Sequence, residues 1–174
     1  MSLEIRVLQE ADAEAFRKLR RQALDREPLA FGEAPEEHQA QPFEAFARRL
    51  AAARDDDFVL GAFVDGNLVG TAGFARIQRV KRRHKGIVWG MYVDAGHRGL
   101  GVGRALLEAL LARVRELPDL QQIQLSVTAS QSAARKLYES LGFVSYGREP
   151  AALYTGGEFI DEAHMALELK KPDR

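Results

Sequence analysis

An apolar strand, a glycine-rich turn and an amphipathic helix follow one another between residues 87 and 116, and this order limits the possible folds. The pattern predicts a strand at 87–93, a turn at 96–103 and a helix at 104–116, which ends before Pro118. A helix N-terminus presents unpaired amides, and glycines let the backbone approach an anion closely. The segment therefore predicts a phosphate-binding turn, although a plain glycine-rich connection has the same pattern.

The rest of the chain predicts a mixed α/β sheet in one domain spanning residues 3–169. Alternating or apolar runs predict strands, with Asp65-Gly66-Asn67 as a hairpin turn and Gly90 as the site of a bulge or of a close backbone approach. Helical spacing and end signals predict four helices, with a loop at 29–41. The predicted strands are 3–8, 58–64, 68–78, 87–93, 122–128, 144–148 and 159–169, and the predicted helices are 12–27, one from Pro42, 104–116 and 132–141.

Composition excludes several classes of protein. Lys+Arg and Asp+Glu both number 25 among 174 residues, so the chain lacks the basic excess of a nucleic-acid binder. The absence of cysteine rules out disulfides, thiolate metal sites and a cysteine nucleophile. The four histidines have no metal-ligand spacing, so no metal is expected. With no long apolar run and no visible secretory signal, the predicted location is cytoplasmic, away from membranes.

Two common nucleotide-binding motifs do not fit the glycine turn. Gly99, Gly101 and Gly103 are not spaced as G-x-G-x-x-G, and no acidic residue follows at the distance that a dinucleotide fold requires. No Gly-Lys-Ser/Thr follows the turn either, which argues against a nucleoside triphosphate loop.

A third pattern matches better. The motif Arg98-x-x-Gly101-x-Gly103 resembles the coenzyme A pyrophosphate loop of the GNAT family of N-acetyltransferases, and the segment 133–143 (AARKLYESLGF) resembles the family's second cofactor segment. Segments 29–32 and 159–165 extend the resemblance over roughly residues 3–169. The resemblance implies the acyl-CoA N-acyltransferase fold, in which a mixed, mostly antiparallel central sheet is splayed and flanked by helices.

The resemblance also implies where acetyl-CoA binds, in the gap between the strand ending at Val93 and the strand ending at Thr128. Backbone groups on the first strand would bind the pantetheine arm and polarise the thioester carbonyl, and the loop amides would hold the pyrophosphate. Gln131 stands where the family often has an asparagine that contacts the cofactor. The residues implied in cofactor binding are Met91, Tyr92, Val93, Arg98, Gly99, Leu100, Gly101, Val102, Gly103 and Gln131.

Two residues are candidates for the chemistry. Tyr138 matches the position of a general acid for the departing thiolate, although a tyrosine on an amphipathic helix is also a common core residue. A base is needed because deprotonating a lysine-like amine costs about 4.6 kcal/mol at pH 7. Glu33 is the leading candidate, because its loop often lines the acceptor site in the family. The other candidates are Glu36, Glu37, His84, Asp161 and Glu162.

The predicted function is therefore N-acetyl transfer from acetyl-CoA to a primary amine of a small molecule, by direct attack in a ternary complex. Acetylation of protein N-termini or lysines is one alternative, and a non-catalytic acyl-CoA-binding module is another. The predicted partner is a small-molecule or peptide amine, without nucleic acid or membrane, and a homodimer is left open.

Overall fold

Seven strands form a single sheet in the computed structural model, which describes residues 1–169. Five helices and three short 3-10 turns connect them. The strands are β1 (Leu3–Val7), β2 (Asp57–Val64), β3 (Asn67–Arg76), β4 (Lys85–Val93), β5 (Gln122–Thr128), β6 (Val144–Thr155) and β7 (Glu158–Glu168). The helices are α1 (Ala13–Arg26), α2 (Pro35–Ala40), α3 (Phe43–Ala51), α4 (Val102–Arg115) and α5 (Ser132–Ser140). Within residues 1–169, no helix has the length and apolar character needed to cross a membrane.

The strand order is β1-β2-β3-β4-β5-β7-β6, so the last strand of the chain lies inside the sheet. All neighbouring strands are antiparallel except β4 and β5, which are parallel. A tight turn at Gly156-Gly157, where both residues have positive φ, joins β6 and β7. The predicted mixed, mostly antiparallel sheet is confirmed.

The sheet opens between β4 and β5. These strands pair only where residues 85–87 of β4 face residues 122–124 of β5. Both strands continue beyond that point, β4 to Val93 and β5 to Thr128, without pairing to each other. The backbone edges that face the gap are therefore available to hydrogen-bond a ligand.

Helices cover the two faces of the sheet. The apolar face of α4, which includes Leu106, Leu107 and Leu110, is fully buried in the larger core cluster. On the opposite face, Phe16 of α1 and Phe46 of α3 pack together with Phe63 of β2. Val88 of β4 belongs to the first cluster and Trp89 of β4 packs against the second, so the two helical layers cover β4 on both sides.

A β-bulge interrupts β4 at the position that the sequence predicted. The β3–β4 register shifts between Thr71 and Gly73, so that Gly90 and Met91 together face a single residue of β3. Gly90 has a φ of +61°, a conformation that favours glycine. The bulge tilts the backbone of β4 beside the gap.

One predicted loop contains a helix. Residues 29–41 were expected to be irregular, but α2 occupies Pro35–Ala40. Proline suits the first helical position, and the Glu37 carboxylate accepts a hydrogen bond of 2.8 Å from the Ala34 amide. His38 is buried against Phe46, with ring centroids 5.0 Å apart. Local capping and a single buried contact thus form a helix that has no apolar periodicity.

Candidate active site

A cleft of about 320 Å³ occupies the gap between β4 and β5. Its floor is formed by residues 87–91 of β4 and 125–127 of β5, and α1, α5 and the segment at 30–32 contribute the walls. The cleft therefore lies where the two parallel strands stop pairing. Side chains from both sheet faces reach it, among them Arg20, Phe31, Met91, Gln131, Tyr138 and Glu162.

The glycine-rich loop leads from β4 into α4. Gly99 and Gly101 have φ values of +74° and +82°, and a Cβ at either position would have no atom within 4 Å. Within residues 1–169, the amides of Gly99, Leu100 and Gly101 donate no backbone hydrogen bond, and those of Val102 and Gly103 lie in the first turn of α4. These amides, at the positive end of a helix, fit a phosphate group.

Asp94 anchors this loop to α1. Its carboxylate accepts hydrogen bonds from the Gln22 side chain, from the Gly96 amide at 3.3 Å and from Nδ1 of His97 at 3.2 Å. Burial opposes ionisation of Asp94, but the hydrogen bonds from His97 and Gln22 outweigh it and hold its pKa below the usual range. The start of the loop is therefore preorganised by a charged group.

Arg98 joins the same loop to two neighbouring elements. Its Nε donates to the Val93 carbonyl at 2.9 Å, and its Nη1 donates to Glu27 at 2.8 Å. The guanidinium also lies over the ring of Tyr92, 5.5 Å from the centroid. Arg98 thus holds the loop against β4 and α1, and its predicted contact with phosphate stays a prediction.

The predicted pantetheine residues of β4 separate into two groups. Met91 lines the cleft, and its Cε lies 3.3 Å from where a Cβ on Gly103 would be. Tyr92 points its ring to α1, where it is buried with Leu19 and Ala23. Val93 ends the strand and pairs with Gly70. The Tyr92 carbonyl lies 3.1 Å from where a Cβ on Gly70 of β3 would be, so it faces the neighbouring strand, and the predicted cofactor contact of Tyr92 stays a prediction.

The second cofactor segment places Gln131 and Tyr138 in the cleft. Gln131 is the residue before α5, and its backbone carbonyl accepts a 3.0 Å hydrogen bond from Arg135. Tyr138 is only 6% exposed, and its ring packs in an edge-to-face arrangement with the ring of Phe143. Burial raises the pKa of Tyr138 to about 12, so its hydroxyl keeps a proton that it can donate at neutral pH.

Glu33 lies beside the cleft rather than among the residues that line it. Arg20 donates two hydrogen bonds to Glu33 Oε2, from Nε at 3.1 Å and from Nη2 at 3.0 Å, and Gln41 donates to Oε1 at 2.8 Å. These bonds occupy both carboxylate oxygens. The catalytic role of Glu33 stays a prediction, and the observed contacts tie the 30–33 segment to α1.

Two nitrogen atoms in the cleft walls are buried without a partner. Within residues 1–169, Arg20 Nη1 and Trp89 Nε1 make no hydrogen bond. Both residues line the cleft, and Arg20 Nη1 lies 3.8 Å from where a Cβ on Gly90 would be. Both atoms have almost no exposed surface, so they lie behind the wall of the cleft and do not face the space that a ligand would fill.

The remaining base candidates occupy different positions. Glu162 lines the cleft. Asp161 binds the Ala151 amide and the Arg148 guanidinium, which together hold the pKa of Asp161 below its usual range and weaken it as a base. His84 faces a separate surface depression near Pro118, and Glu36 and Glu37 belong to α2. Of these five candidates, only Glu162 therefore lies at the gap between β4 and β5.

The β5–β7 pairing brings Ser126 and His164 together beside the cleft, and no sequence pattern had pointed to this pair. Ser126 lines the cleft, and its Oγ lies 2.8 Å from His164 Nδ1. The alternation of buried Leu125 and Val127 with Ser126 indicates which face the serine occupies, but the pairing depends on the β5–β7 register.

A wider groove of about 630 Å³ lies elsewhere, on the surface formed by β5, β7 and β6. Lys85, Gln122, Val144 and Tyr146 are among its lining residues, and neither the glycine loop nor Tyr138 borders it. The smaller cleft, which brings together the sheet opening, Tyr138 and Gln131, is therefore the candidate active site.

The comparisons with known proteins identify the class of protein. The family model for the acetyltransferase (GNAT) family matches residues 15–143, which is more than half of the chain. The chain belongs to the GNAT acetyltransferase family. The resemblance seen in the glycine loop and in the segment at 133–143 is thereby confirmed.

Individual relatives are more distant. The chain is 32% identical to L-2,4-diaminobutyric acid acetyltransferase of Streptomyces anulatus over 126 residues, and this aligned region covers 69% of this chain and 63% of the relative. It is 33% identical over 109 residues to an N-alpha-acetyltransferase of Sulfurisphaera tokodaii, covering 59% of this chain and 64% of the relative. The chain thus spans a little under two thirds of these relatives.

A solved structure supports the fold. The acetyltransferase yncA of Salmonella typhimurium, described with its cofactor acetyl-CoA, superposes with a TM-score of 0.86 over 100% of this chain and 98% of that one. The sequence identity is 22%, so this likeness concerns the fold. The predicted acyl-CoA N-acyltransferase fold is confirmed.

Proposed function

We propose that the protein is an acetyl-CoA-dependent N-acetyltransferase that acetylates a primary amine of a small molecule by direct attack in a ternary complex. The observation that carries the proposal is the opening between β4 and β5, with Met91, Gln131 and Tyr138 on its walls and the glycine loop following β4. The proposal includes a cytoplasmic location.

The residues of the cleft and loop fit the cofactor. Free amides at 99–103 hold the pyrophosphate, and the unpaired edge of β4 around Met91 holds the pantetheine arm. Gln131 replaces the family's asparagine contact from the start of α5. Acetyl-CoA, when bound, supplies an activated acetyl thioester. The chain's own part is to orient it, exclude water and move protons.

The acceptor binds on the side of the cleft formed by α1. Phe31 and Trp89 give this side apolar walls, and Arg20 contributes a guanidinium group. A carboxylate near the reacting amine, as in the 2,4-diaminobutyric acid of the Streptomyces relative's name, would be attracted to that positive charge. The Arg20–Glu33 contacts hold the 30–33 segment beside the cleft, which supports a small acceptor over a long peptide.

Tyr138 acts as the acid in this proposal. The departing thiolate needs a proton, and burial keeps the phenol protonated well above neutral pH. Glu33 positions the segment at the acceptor side through its contacts with Arg20 and Gln41.

The decisive experiment is a screen of CoA release over a panel of amines. We expect turnover with a small diamino acid and a lower rate with its decarboxylated counterpart, so 2,4-diaminobutyrate and 1,3-diaminopropane form a matched pair. Peptides with free N-termini test the protein-acetylating alternative that the Sulfurisphaera relative represents. Binding of acetyl-CoA without release of CoA for any amine would show a non-catalytic module instead.

Acetyl-CoA binding is tested separately by thermal stability. A ligand at 100 times its dissociation constant adds about 2.7 kcal/mol to the free energy of unfolding. We expect that gain with acetyl-CoA and a clearly smaller one with NAD or ATP at equal concentration. Stabilisation by NAD but not by acetyl-CoA would refute the cofactor assignment.

A further inference from the structure

Three polar side chains from three adjacent strands form a continuous hydrogen-bonded chain. Ser126 Oγ of β5 lies 2.8 Å from His164 Nδ1 of β7, and His164 Nε2 lies 3.2 Å from Glu149 Oε2 of β6. Ser126 and His164 are direct partners in the β5–β7 register, while Glu149 faces Glu162 in the β6–β7 register. The alignment is therefore a property of the sheet and not of flexible loops.

The hydrogen-bond chemistry fixes the direction in which a proton can move. An ionised carboxylate only accepts, so Nε2 of His164 carries the proton that it donates to Glu149. In the neutral ring Nδ1 is then an acceptor, and the Ser126 hydroxyl donates to it. The lone pairs of Ser126 Oγ remain available to accept a further proton.

The chain begins in the active-site cleft and ends toward solvent. Ser126 lines the cleft that also holds Met91 and Tyr138. His164 keeps 29% of its side chain exposed, and Glu149 keeps 53%. A proton that enters at Ser126 can therefore leave through His164 to water.

Charged and titratable groups surround His164 on each side. From β6 it meets Glu149 and the ring of Tyr146, whose centroid lies 6.1 Å from that of His164. On the same strand as His164, Glu162 brings a carboxylate oxygen within 4.8 Å of a ring nitrogen of His164 and of a carboxylate oxygen of Glu149. The ring that receives the proton is thus bordered by the carboxylates of Glu149 and Glu162 and by the phenol of Tyr146.

We propose that Ser126, His164 and Glu149 form the relay that deprotonates the acceptor amine, an inference that rests on the proposed N-acetyl transfer. The acceptor ammonium gives a proton to Ser126 Oγ as the serine proton passes to His164 Nδ1. The freed lone pair forms the C–N bond to the acetyl carbon, the C–S bond breaks, and the thiolate takes its proton from Tyr138. The second proton, which the nitrogen loses as it becomes an amide, passes through water to the Tyr138 phenolate and restores the phenol. Ser126 is the catalytic residue of this relay, and His164 and Glu149 act through it.

The pH dependence of the reaction tests the relay. The relay takes the proton from a charged acceptor, so the wild-type kcat/KM for an alkylamine acceptor should reach a plateau well below the amine's own pKa. In His164→Gln only acceptor that is already neutral reacts, so kcat/KM should rise about tenfold per pH unit toward the amine's own pKa. We expect a loss of about 100-fold at pH 7 that shrinks about tenfold per pH unit and has disappeared by about pH 9.

Matched variants separate the relay from structural damage. Ser126→Ala should lose kcat/KM in the same way, with a loss that decreases as the pH rises. His84→Gln removes a histidine outside the cleft and should keep the wild-type plateau. Thermal unfolding and acetyl-CoA titration show that each variant is folded and binds cofactor. A chelator in the assay removes any cation held by Glu149, Glu162 and His164.

Several results would overturn the relay. A loss in His164→Gln that stays constant with pH would make His164 structural, and loss of the plateau in Glu162→Gln alone would make Glu162 the base. An acetylated Ser126 detected by mass spectrometry during turnover would make the serine a nucleophile. If the wild type releases no CoA with any amine, the proposed function fails and the relay fails with it. If the wild type turns over and His164→Gln shows the same pH dependence of kcat/KM as the wild type, only the relay is refuted.

Discussion

The hydroxyl of Thr71 donates a hydrogen bond of 3.1 Å to the carbonyl oxygen of Gly90. Thr71 is 5% exposed, so this bond holds the β4 bulge from inside the protein. The bulge sets the direction of the β4 edge that faces the cleft, which makes a residue of β3 responsible for part of the geometry of the candidate active site.

Replacing this threonine should therefore affect both stability and cofactor binding. Thr71→Val keeps the shape of the side chain but leaves the Gly90 carbonyl unpaired, which costs about 1–3 kcal/mol of unfolding free energy. We expect weaker acetyl-CoA binding as well, because the strand edge loses its fixed direction. Urea denaturation and a cofactor titration measure the two effects, with Thr155→Val at the end of β6 as the control.

Gly101→Val should reduce the affinity for acetyl-CoA by more than backbone strain alone would. Gly101 has a φ of +82° and open space around its Cβ position, so valine is strained there and its side chain fills the space where a phosphate would bind. Gly66 has a φ of +84° and equally open surroundings, but it lies in the β2–β3 turn. Gly66→Val is thus a matched control for strain.

The comparison of these two glycines decides the role of the loop. Both variants should lose similar unfolding free energy in chemical denaturation, and only Gly101→Val should lose cofactor affinity by isothermal titration. Equal acetyl-CoA affinity in the two folded variants would mean that the loop is only a connection.

The elements nearest the cofactor were predictable from the sequence because their signals are local. An unbroken leucine face specifies α4, and glycines at alternate positions mark the loop before it. Tyr138 lies on α5, which has a clear amphipathic pattern and ends two residues before Gly142. Each of these signals depends on neighbours within a few turns of chain, which a single sequence displays.

Other parts depend on contacts between distant residues and could not be predicted. The six residues of α2 have no apolar period, and burial of His38 against Phe46 helps to hold them. The Ser126–His164 pair exists only because β7 lies between β5 and β6 in one specific register. The family resemblance predicts that Glu33 lies near the acceptor, but only the fold shows that Arg20 occupies its carboxylate.

Asp94→Asn should loosen the glycine loop and change the acid stability of the protein. The folded pKa of Asp94 lies below the ordinary value, so its ionised contacts stabilise the fold above about pH 4 and are lost as the pH falls further. The difference in unfolding free energy between wild type and variant should therefore shrink below about pH 4.

At neutral pH the same variant should bind acetyl-CoA about tenfold more weakly, since hydrogen bonds to a charged group that fix the loop are lost. Asp25→Asn is the control, because its exposed carboxylate pairs with Arg21 on α1 and does not touch the loop. Unchanged cofactor affinity in Asp94→Asn would show that the loop keeps its shape without this anchor.

Tyr138→Phe tests the acid in the candidate active site. The change keeps the ring, which packs against Phe143, so the free energy of unfolding should move little. If the hydroxyl protonates the departing thiolate, CoA release should fall by about 10²–10⁴-fold while acetyl-CoA affinity stays within a few-fold. Tyr154→Phe, at an exposed tyrosine on β6, should leave both quantities unchanged.

The raised pKa of Tyr138 makes the assignment testable by titration as well. Because burial raises its pKa to about 12, the Tyr138 phenol should remain protonated where an ordinary tyrosine, with a pKa near 10, ionises. The difference in phenolate absorbance between wild type and Tyr138→Phe should therefore appear only above about pH 11, and any alkaline loss of turnover below that pH must come from another group. Near-wild-type CoA release by the folded Tyr138→Phe variant would leave Tyr138 a packing residue, and the thiolate would then depart without an acid from this chain.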